Sequence, residues 1–469
     1  MISVFGSSLI FLAFLVALIG FSMLLFGRIF RENNKRYITS GSNALLFSCL
    51  IIIVCFITLL SQFLSDSFNL KFVTETSSIA TPLIYKIGAL WAGATGSLLL
   101  WATIVAAYII YFILLGKKRY SAIFSTSLMI MGLIYACFLG FIFFLQNPFE
   151  PIFNQFDGQG TGANLQHILM LIHPPMLYLG YIGFLIPFST TIASLIENKN
   201  DINYVNSNRR HVLFAWLILT VAIILGGRWA YLELGWGGYW AWDPVENASL
   251  MPWLLGTALL HSLITVEKKK SLQSWVLLLS ILAFLLSVVG TFLVRSGILT
   301  SVHTFALDPS RGIYILAFTA ILGGYSLILF GLKSKKYLNN SYFSFFSKEG
   351  SILINNILMV VVCSSVFLGT IYPLLVEAFT NNKISVGEPY YNSTVVPIMI
   401  PAILIMGIGP ILSWGKGDKS KTFKKIFPSV LLTAIITLLI FLFYQSYSLI
   451  GVVGIVLAFW IISNNIIIL

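Results

Sequence analysis

Charged residues are scarce in this sequence, and their scarcity excludes an ordinary water-soluble fold. Only 9% of the 469 residues are Asp, Glu, Lys or Arg, whereas 58% are hydrophobic. Soluble domains carry about 25% charged residues, so a soluble chain of this composition would have almost no polar surface. The composition therefore indicates an integral membrane protein, whose length is used for membrane spans rather than for several soluble domains.

Cysteine is also rare, and the positions of the four cysteines exclude two kinds of chemistry. Cys49, Cys55, Cys137 and Cys363 lie in apolar runs, and none belongs to a CxxC motif. This excludes thiol–disulfide exchange through a CxxC pair, and also covalent haem attachment through a CxxCH motif of this chain. We interpret each cysteine as a small buried side chain.

Long apolar runs predict about thirteen transmembrane helices of roughly 20 residues each. The runs are too long for strands and lack an alternating pattern, so the predicted fold class is all-α. We expect one polytopic helical bundle over residues 1–469, with a retained first span rather than a cleaved signal peptide. The predicted spans are 8–26, 42–62, 92–116, 121–145, 174–196, 212–228, 248–266, 273–294, 312–332, 353–378, 394–414, 427–446 and 449–466.

The basic residues predict the orientation of this bundle. Alternating the loops from a short N-terminus places most of the 28 Lys and Arg residues on one side of the membrane. The positive-inside rule makes that side cytoplasmic, or the matrix side in a mitochondrion. The net charge of +12 therefore reflects topology, and no nucleic-acid partner is expected. The cations left on the outer side are Lys71, Lys86, Arg228, Arg295, Arg311 and Lys383.

One outer segment, residues 226–253 between the sixth and seventh spans, concentrates tryptophan. It contains "WGGYWAWDPVENASLMPW" from Trp236 to Trp253, with Arg228 just before. An aromatic belt would spread over all the loops, whereas glycines beside clustered indoles allow close approach of a flat ligand. Within it, Asp243, Pro244 and Glu246 match a capped helix start, which we expect to anchor the aromatic residues.

Histidines supply candidate metal ligands. His173 opens "HPPMLYLGY", where the prolines suit the first turn of the fifth span, and His303 lies in the outer loop after the eighth span. Two imidazoles on the outer side fit the axial ligation of a planar metal macrocycle, although topology does not show that they converge. His167 is the alternative outer ligand. His261 lies deeper in the membrane, where an ionisable residue marks either a functional site or a hydrogen-bonded structural position.

These motifs together resemble the CcmF family of cytochrome c maturation haem lyases. The tryptophan segment is similar to the family's WWD signature, and "LLGTALLHS", "VRSGILTSVH" and "IYKIGALWAGATGSLLLW" resemble further family stretches. The resemblance implies that His173 and His303 ligate a transiently bound haem b, and that His261 ligates a resident haem in the membrane. The expected haem-binding residues of the outer segment and its flanks are Trp236, Tyr239, Trp240, Trp242, Asp243, Arg228 and Arg295, with the arginines facing the propionates.

The resemblance also implies a reaction and partners. Such a haem lyase subunit joins haem vinyl groups to the CxxCH thiols of apocytochrome c, receives haem from the chaperone CcmE, and works with the thioreduction subunit CcmH. Electrons from quinol are expected to reach the incoming haem through the resident one. The expected location is the bacterial inner membrane or the mitochondrial inner membrane.

The sequence departs from the family pattern at two places. No histidine follows His303, where the family has a second membrane histidine, and Ala94 and Thr95 stand where it often has a His–Glu pair. The chain also ends near the thirteenth predicted span, before the family's further outer domain and final spans. We therefore expect either that a second chain supplies this C-terminal part or that the resident haem is altered or absent. Two other functions remain open: a haem transporter that loads a chaperone without ligation chemistry, and a solute transporter, which fits the span count alone.

Overall fold

The computed structural model is built from α-helices throughout the residues that it describes, and the described part contains one isolated β-bridge, between Leu70 and Pro151. This confirms the predicted all-α fold class. The residues described are 1–30, 34–116, 121–198, 202–235, 237–295, 309–338, 344–415, 419–443 and 448–468.

The helices follow the predicted spans closely, with two short helices before the third span and a fifth span made of two pieces. They are α1 (Ile2–Ile29), α2 (Asn34–Leu64), α3 (Lys71–Thr76), α4 (Leu83–Ala92), α5 (Ala94–Leu115), α6 (Ala122–Leu145), α7 (Ile168–Gly183), α8 (Leu185–Glu197), α9 (Ile202–Glu233), α10 (Pro244–Lys269), α11 (Gln273–Arg295), α12 (Pro309–Lys333), α13 (Lys348–Thr380), α14 (Glu388–Ile408), α15 (Lys419–Phe443) and α16 (Leu449–Ile468).

Twelve helical segments among the described residues are long and apolar enough to cross a membrane. They correspond to the first twelve predicted spans. The thirteenth predicted span, 449–466, corresponds to α16, whose apolar part Ile450–Ile466 is shorter than the other twelve segments. The chain is therefore a multi-pass membrane protein.

The start of the fifth span differs from its predicted position. We expected the helix to begin near the prolines after His173, but α7 begins at Ile168, and Pro174 and Pro175 lie inside it. The N-cap is His167, whose Nδ1 accepts the Leu169 N–H at 3.1 Å. A proline at 174 cannot donate to the carbonyl four residues earlier, and the Trp91 indole N–H donates to that Met170 oxygen instead, at 3.0 Å.

Helix packing divides the chain into two compact units. The first comprises Met1–Trp253 and Ser280–Lys336, and the second comprises Leu254–Leu279 and Tyr337–Leu469. In the first unit α1 packs against α2 and α6, and α7 packs along α9. In the second unit α14 packs against α13 and α16, and α15 against α16. There the buried Asn356 Nδ2 also donates to Ser262 Oγ at 2.8 Å, which joins α13 to α10.

Contacts between loops of the first unit agree with the predicted alternation of sides. On the predicted inner side, Arg28 in the last turn of α1 pairs with Glu197 at the end of α8, at 2.9 Å. On the predicted outer side, Lys71 pairs with Glu150 at 3.6 Å, and Trp229 Nε1 donates to the Asn164 carbonyl at 3.2 Å. Loops assigned to one side therefore contact each other in these pairs.

Candidate functional site

The tryptophan-rich segment ends in a capped helix, as its sequence predicts. Glu246 Oε2 accepts the backbone N–H groups of Ala241 at 2.9 Å and Asp243 at 3.1 Å, while Asp243 Oδ2 accepts the Val245 N–H at 3.1 Å. Pro244 is the first helical residue, where a missing N–H costs nothing. These reciprocal bonds confirm the capped start, and they fix the backbone of residues 241–245 to the end of α10.

The backbone before this cap contains a strained tryptophan. Trp242 has φ +55°, a left-handed conformation that is an outlier for a bulky side chain. Such residues cost about 1–3 kcal/mol and persist only where the surroundings impose them. The Trp242 ring packs edge-on against Trp240, with ring centroids 5.8 Å apart and planes at 89°. The strain therefore sets the two indoles at right angles immediately before the helix.

His173 faces this segment from α7. Its Nδ1 lies 2.7 Å from the carbonyl oxygen of Ala222 on α9, and a carbonyl only accepts hydrogen bonds. Nδ1 therefore carries the proton, and in the neutral ring Nε2 carries the lone pair. This second-sphere arrangement is typical of histidines that ligate metals through Nε2.

The imidazole of His173 is held against a glycine of α9. A Cβ built on Gly226 would lie 2.5 Å from His173 Cε1, which is closer than real Cβ contacts, and 3.0 Å from Nε2. One residue on, a Cβ at Gly227 would lie 2.8 Å from the Tyr239 carbonyl oxygen. The two glycines therefore let both the imidazole and the tryptophan segment approach the backbone of α9.

His173 and Trp240 line the same small cavity, of about 50 Å³, in the first unit. The Trp240 Nε1 is buried and has no hydrogen-bond partner among the residues that the structure describes. The cavity has room for water but is well below the roughly 300 Å³ of the smallest ordinary ligand pockets. It is lined by His173, Leu177, Ile223, Gly226, Gly227, Trp229, Ala230, Trp240, Val245, Glu246 and Ser249.

An exposed layer of two tyrosines and an arginine lies beside this cavity. Tyr231 and Tyr239 stack with ring centroids 4.6 Å apart and planes at 8°. Arg228 Nη1 donates to the Tyr239 hydroxyl at 3.3 Å, and its Cζ lies 5.9 Å from the Tyr231 ring centroid. Among the described residues, the Arg228 guanidinium therefore contacts uncharged groups. The outer lysines Lys71, Lys86 and Lys383, in contrast, each pair with a carboxylate.

His167, the alternative outer ligand, has both ring nitrogens engaged. Its Nδ1 caps α7, so Nε2 carries the proton, and Nε2 lies 3.9 Å from Glu233 Oε1. The arrangement therefore assigns His167 to the structure of the helix start. Of the two candidates on this helix, His173 is the one whose Nε2 has a lone pair.

His261 lies in the second unit, inside α10. Its Nδ1 is 2.9 Å from Asn355 Nδ2, an amide that only donates. Nδ1 therefore accepts, and Nε2 carries the proton in the neutral ring. Among the residues that the structure describes, the side chain bonded to this imidazole is an amide and not a second imidazole. These residues do not complete a bis-histidine haem site, and the resident haem stays a prediction.

Three of the predicted site residues cannot be placed. Trp236 and His303 lie outside the described residues, and so does the side chain of Arg295. The ligation of one haem by both His173 and His303 therefore stays a prediction. Conversely, the sequence alone did not single out Ala222, because only the packing of α7 on α9 gives it a role. It did mark the glycines beside the indoles, Gly226 among them, but for the approach of a flat ligand and not for contact with His173.

Comparisons with known proteins relate this chain to proteins of cytochrome c assembly. A family model described as cytochrome C assembly protein matches residues 91–300, which include His173, the tryptophan segment and His261. A cytochrome c-type biogenesis protein CcmF from Escherichia coli is 40% identical over 409 residues, covering 87% of this chain and 63% of that protein. The protein CycK from Rhizobium meliloti is 41% identical, covering 86% of this chain and 60% of its own length.

The fold of this chain is also similar to that of a solved structure. It is named Cytochrome c Heme Lyase CcmF, and it matches with a TM-score of 0.79 at 26% sequence identity, over 99% of this chain and 70% of that one. This chain belongs to the CcmF family. It spans about 60% of the length of the CcmF and CycK relatives that it matches.

The region of this CcmF-family chain that the family model matches ends just before His303. The family model stops at residue 300, so of the predicted pair His173 and His303 it includes only His173. His173 and the 226–253 segment therefore lie within the matched region, and apart from Trp236 the structure describes them.

Proposed function

We propose that this chain holds haem at the outer face of the membrane and promotes its attachment to the CxxCH thiols of apocytochrome c. The observation that carries the proposal is the shared cavity of His173 and Trp240, which joins a metal-ligand imidazole to the tryptophan segment. The family membership adds the reaction, since related proteins are named for cytochrome c-type biogenesis and one for haem lyase activity.

In this proposal the chain binds and orients its substrates and supplies no nucleophile. His173 donates Nε2 to the iron, and the Ala222 carbonyl holds the ring in the required tautomer. Trp240 and Trp242 form an apolar surface for one face or edge of the porphyrin. His303, Trp236 and Arg295 complete the site as proposed partners. Fixing two reactants in a productive orientation removes much of the entropic barrier of a bimolecular step.

The bond-forming step requires no oxidant or reductant. Each cysteine S–H adds across a vinyl C=C, with sulfur bonding to the carbon next to the ring and hydrogen ending on the terminal carbon. Both thiols belong to the apocytochrome, as does the histidine that becomes its haem ligand. The task of this chain is therefore to leave the vinyl edge accessible while it excludes water from the other face.

Haem entry requires the tryptophan segment to move outward, because the cavity of about 50 Å³ admits water but not a porphyrin. Two features support such a movement. Gly235 and Gly237 have φ of +68° and +72°, a backbone region that glycine adopts without steric cost, and the bonds of the cap hold residues 241–245, which follow these glycines in the chain. The capped start of α10 then serves as the fixed end of the moving segment.

Arg228 is the proposed partner of a haem propionate. It is exposed, and its recorded contacts are with a phenol and an aromatic ring rather than with a carboxylate. Arginine binds carboxylates in a two-pronged geometry, and a propionate reaching over Tyr239 would meet it. Haem b bound transiently, the chaperone CcmE, the subunit CcmH and apocytochrome c are the proposed ligand and partners, in a bacterial or mitochondrial inner membrane.

Replacing His173 tests the proposal. In cells that express the rest of the maturation system, we expect His173→Ala to abolish covalent haem in a reporter c-type cytochrome, measured by haem stain after denaturing electrophoresis. The matched control is His167→Asn, on the same helix end, because asparagine retains an N-cap acceptor. The control should mature the reporter normally. Normal maturation by a membrane-inserted His173→Ala variant rejects the assignment.

The second candidate function is that of a haem loader. A loader would bind haem in the same cavity, but unlike a lyase it would not bind the CxxCH segment of apocytochrome c. A lyase contacts its protein substrate, so an apocytochrome peptide containing CxxCH should co-purify with the haem-loaded chain. A loader should bind the peptide no better than a version in which both cysteines are serine. Equal recovery of the two peptides would favour the loader.

A further inference from the structure

The second unit contains an apolar cavity that the proposed reaction does not use. Its volume is about 370 Å³, within the usual range for ligand pockets. It lies where α13 and α15 begin and α14 ends, which the basic residues place on the inner side of the membrane. The residues that line it include Phe346, Ser351, Ile408, Leu412, Lys419 and Thr422.

A lysine stands at the edge of this cavity. Lys419 Nζ lies 4.7 Å from the centroid of the Phe346 ring, which is a cation–π contact. Both residues line the cavity. Lys421, Lys424 and Lys425 follow on α15. The buried Glu349 has its contacts elsewhere: its carboxylate accepts the Gly415 N–H at 3.0 Å and lies 4.0 Å from Lys269 Nζ.

Two aromatic side chains that line the cavity are exposed. Phe345 is 70% exposed and Phe423 is 67% exposed, although both line the cavity. Most of the other lining side chains are aliphatic: Ile354, Ile405, Ile408, Leu412 and Ile426. A cavity lined by a lysine, exposed aromatic rings and aliphatic side chains matches a molecule with an anionic head and an alkyl chain.

We propose that this cavity binds one anionic phospholipid of the inner leaflet. Lys419 contacts the phosphate, Thr422 and Ser351 offer hydroxyl groups near it, and an acyl chain fills the space beside Ile408. A basic segment beside a membrane span attracts anionic headgroups, and the cavity gives that attraction a defined position. This inference is independent of the haem chemistry proposed above, because none of the cavity residues belongs to the outer site.

Native mass spectrometry of the purified full-length chain tests the proposal. The protein is titrated with phosphatidylglycerol or with phosphatidylcholine of the same acyl chains. We expect one phosphatidylglycerol to be retained in preference, and Lys419→Gln to weaken that binding about fivefold, the effect of one cation beside an anionic headgroup. Ile408→Trp, which fills the cavity, should abolish retention of that lipid.

Lys268→Gln is the matched control, because it removes a cation from the inner side of the same unit without touching the cavity lining. It should bind phosphatidylglycerol like the unmodified chain. Circular dichroism and gel filtration verify that each variant is folded. Equal retention of the two lipids, unchanged binding by Lys419→Gln, or retention of detergent alone overturns the proposal.

Discussion

At the scale of single residues, the site depends on the contact between His173 and Gly226, which no side-chain motif predicts. Gly226 on α9 leaves room for the ring of His173, and the Ala222 carbonyl, also on α9, orients that ring. The sequence predicted His173 as a ligand because of its side and its neighbours. It did not predict the tautomer, which depends on which carbonyl of α9 lies opposite.

Gly226→Ala tests this contact directly. The added Cβ would lie 2.5 Å from His173 Cε1, so the ring must move and its 2.7 Å bond to the Ala222 carbonyl must lengthen or break. We expect the variant to lose most of the haem that the unmodified chain retains, measured by Soret absorbance after haem loading and desalting.

Gly324→Ala is the matched control for that substitution. Gly324 is also a helical glycine of the first unit, but a Cβ there meets nothing within 4 Å. The control should bind haem normally and keep its stability within about 1 kcal/mol, because alanine is the better helix former. Equal haem retention by the two variants contradicts the role given to Gly226.

At the scale of the element, the start of α10 was predictable and the start of α7 was not. An Asp-Pro-x-Glu cap is a local signal, because all its donors and acceptors lie between residues 241 and 246. The N-cap of α7 is a histidine, outside the residues that usually cap helices. Its prolines moreover lie inside the helix, where the Trp91 indole satisfies a carbonyl that they cannot. Such tertiary compensation is not visible in the local sequence.

Glu246→Ala tests the anchoring of the tryptophan segment by α10. The variant loses the acceptor of the Ala241 and Asp243 N–H groups, and caps contribute about 1 kcal/mol. We therefore expect these two amides to exchange with deuterium about fivefold faster, in proportion to the lost free energy. Hydrogen-exchange mass spectrometry of peptides covering residues 237–245 measures the change.

Glu388→Ala supplies the comparison for that measurement. Glu388 is also an acidic residue in the first turn of a helix, but its recorded partner is the Asn392 side chain rather than a backbone N–H. Exchange in its own segment should change little. If Glu246→Ala leaves the amides of residues 241 and 243 as protected as before, the cap does not hold the segment.

At the scale of the whole molecule, hydropathy and charge predicted most of the architecture. The bilayer permits few structures, so span length and the distribution of Lys and Arg carry most of the information. What the sequence could not supply is the convergence of α7, α9 and the tryptophan segment on one cavity, because it depends on packing between residues far apart in the chain. The lipid cavity of the second unit escaped prediction for the same reason.

The proposed function requires one orientation in the membrane, and paired cysteine variants test it. Lys335 and Asn382 are both exposed, and the loop alternation places the first inside and the second outside. A membrane-impermeant maleimide should label Asn382→Cys in intact spheroplasts, and Lys335→Cys only after permeabilisation. The native Cys49, Cys55 and Cys363 are buried, and Cys137 lies within a predicted span, so the unmodified chain should stay unlabelled as the background control. The reverse labelling pattern would place His173 and the tryptophan segment on the inner side, where the proposed apocytochrome substrate could not reach them.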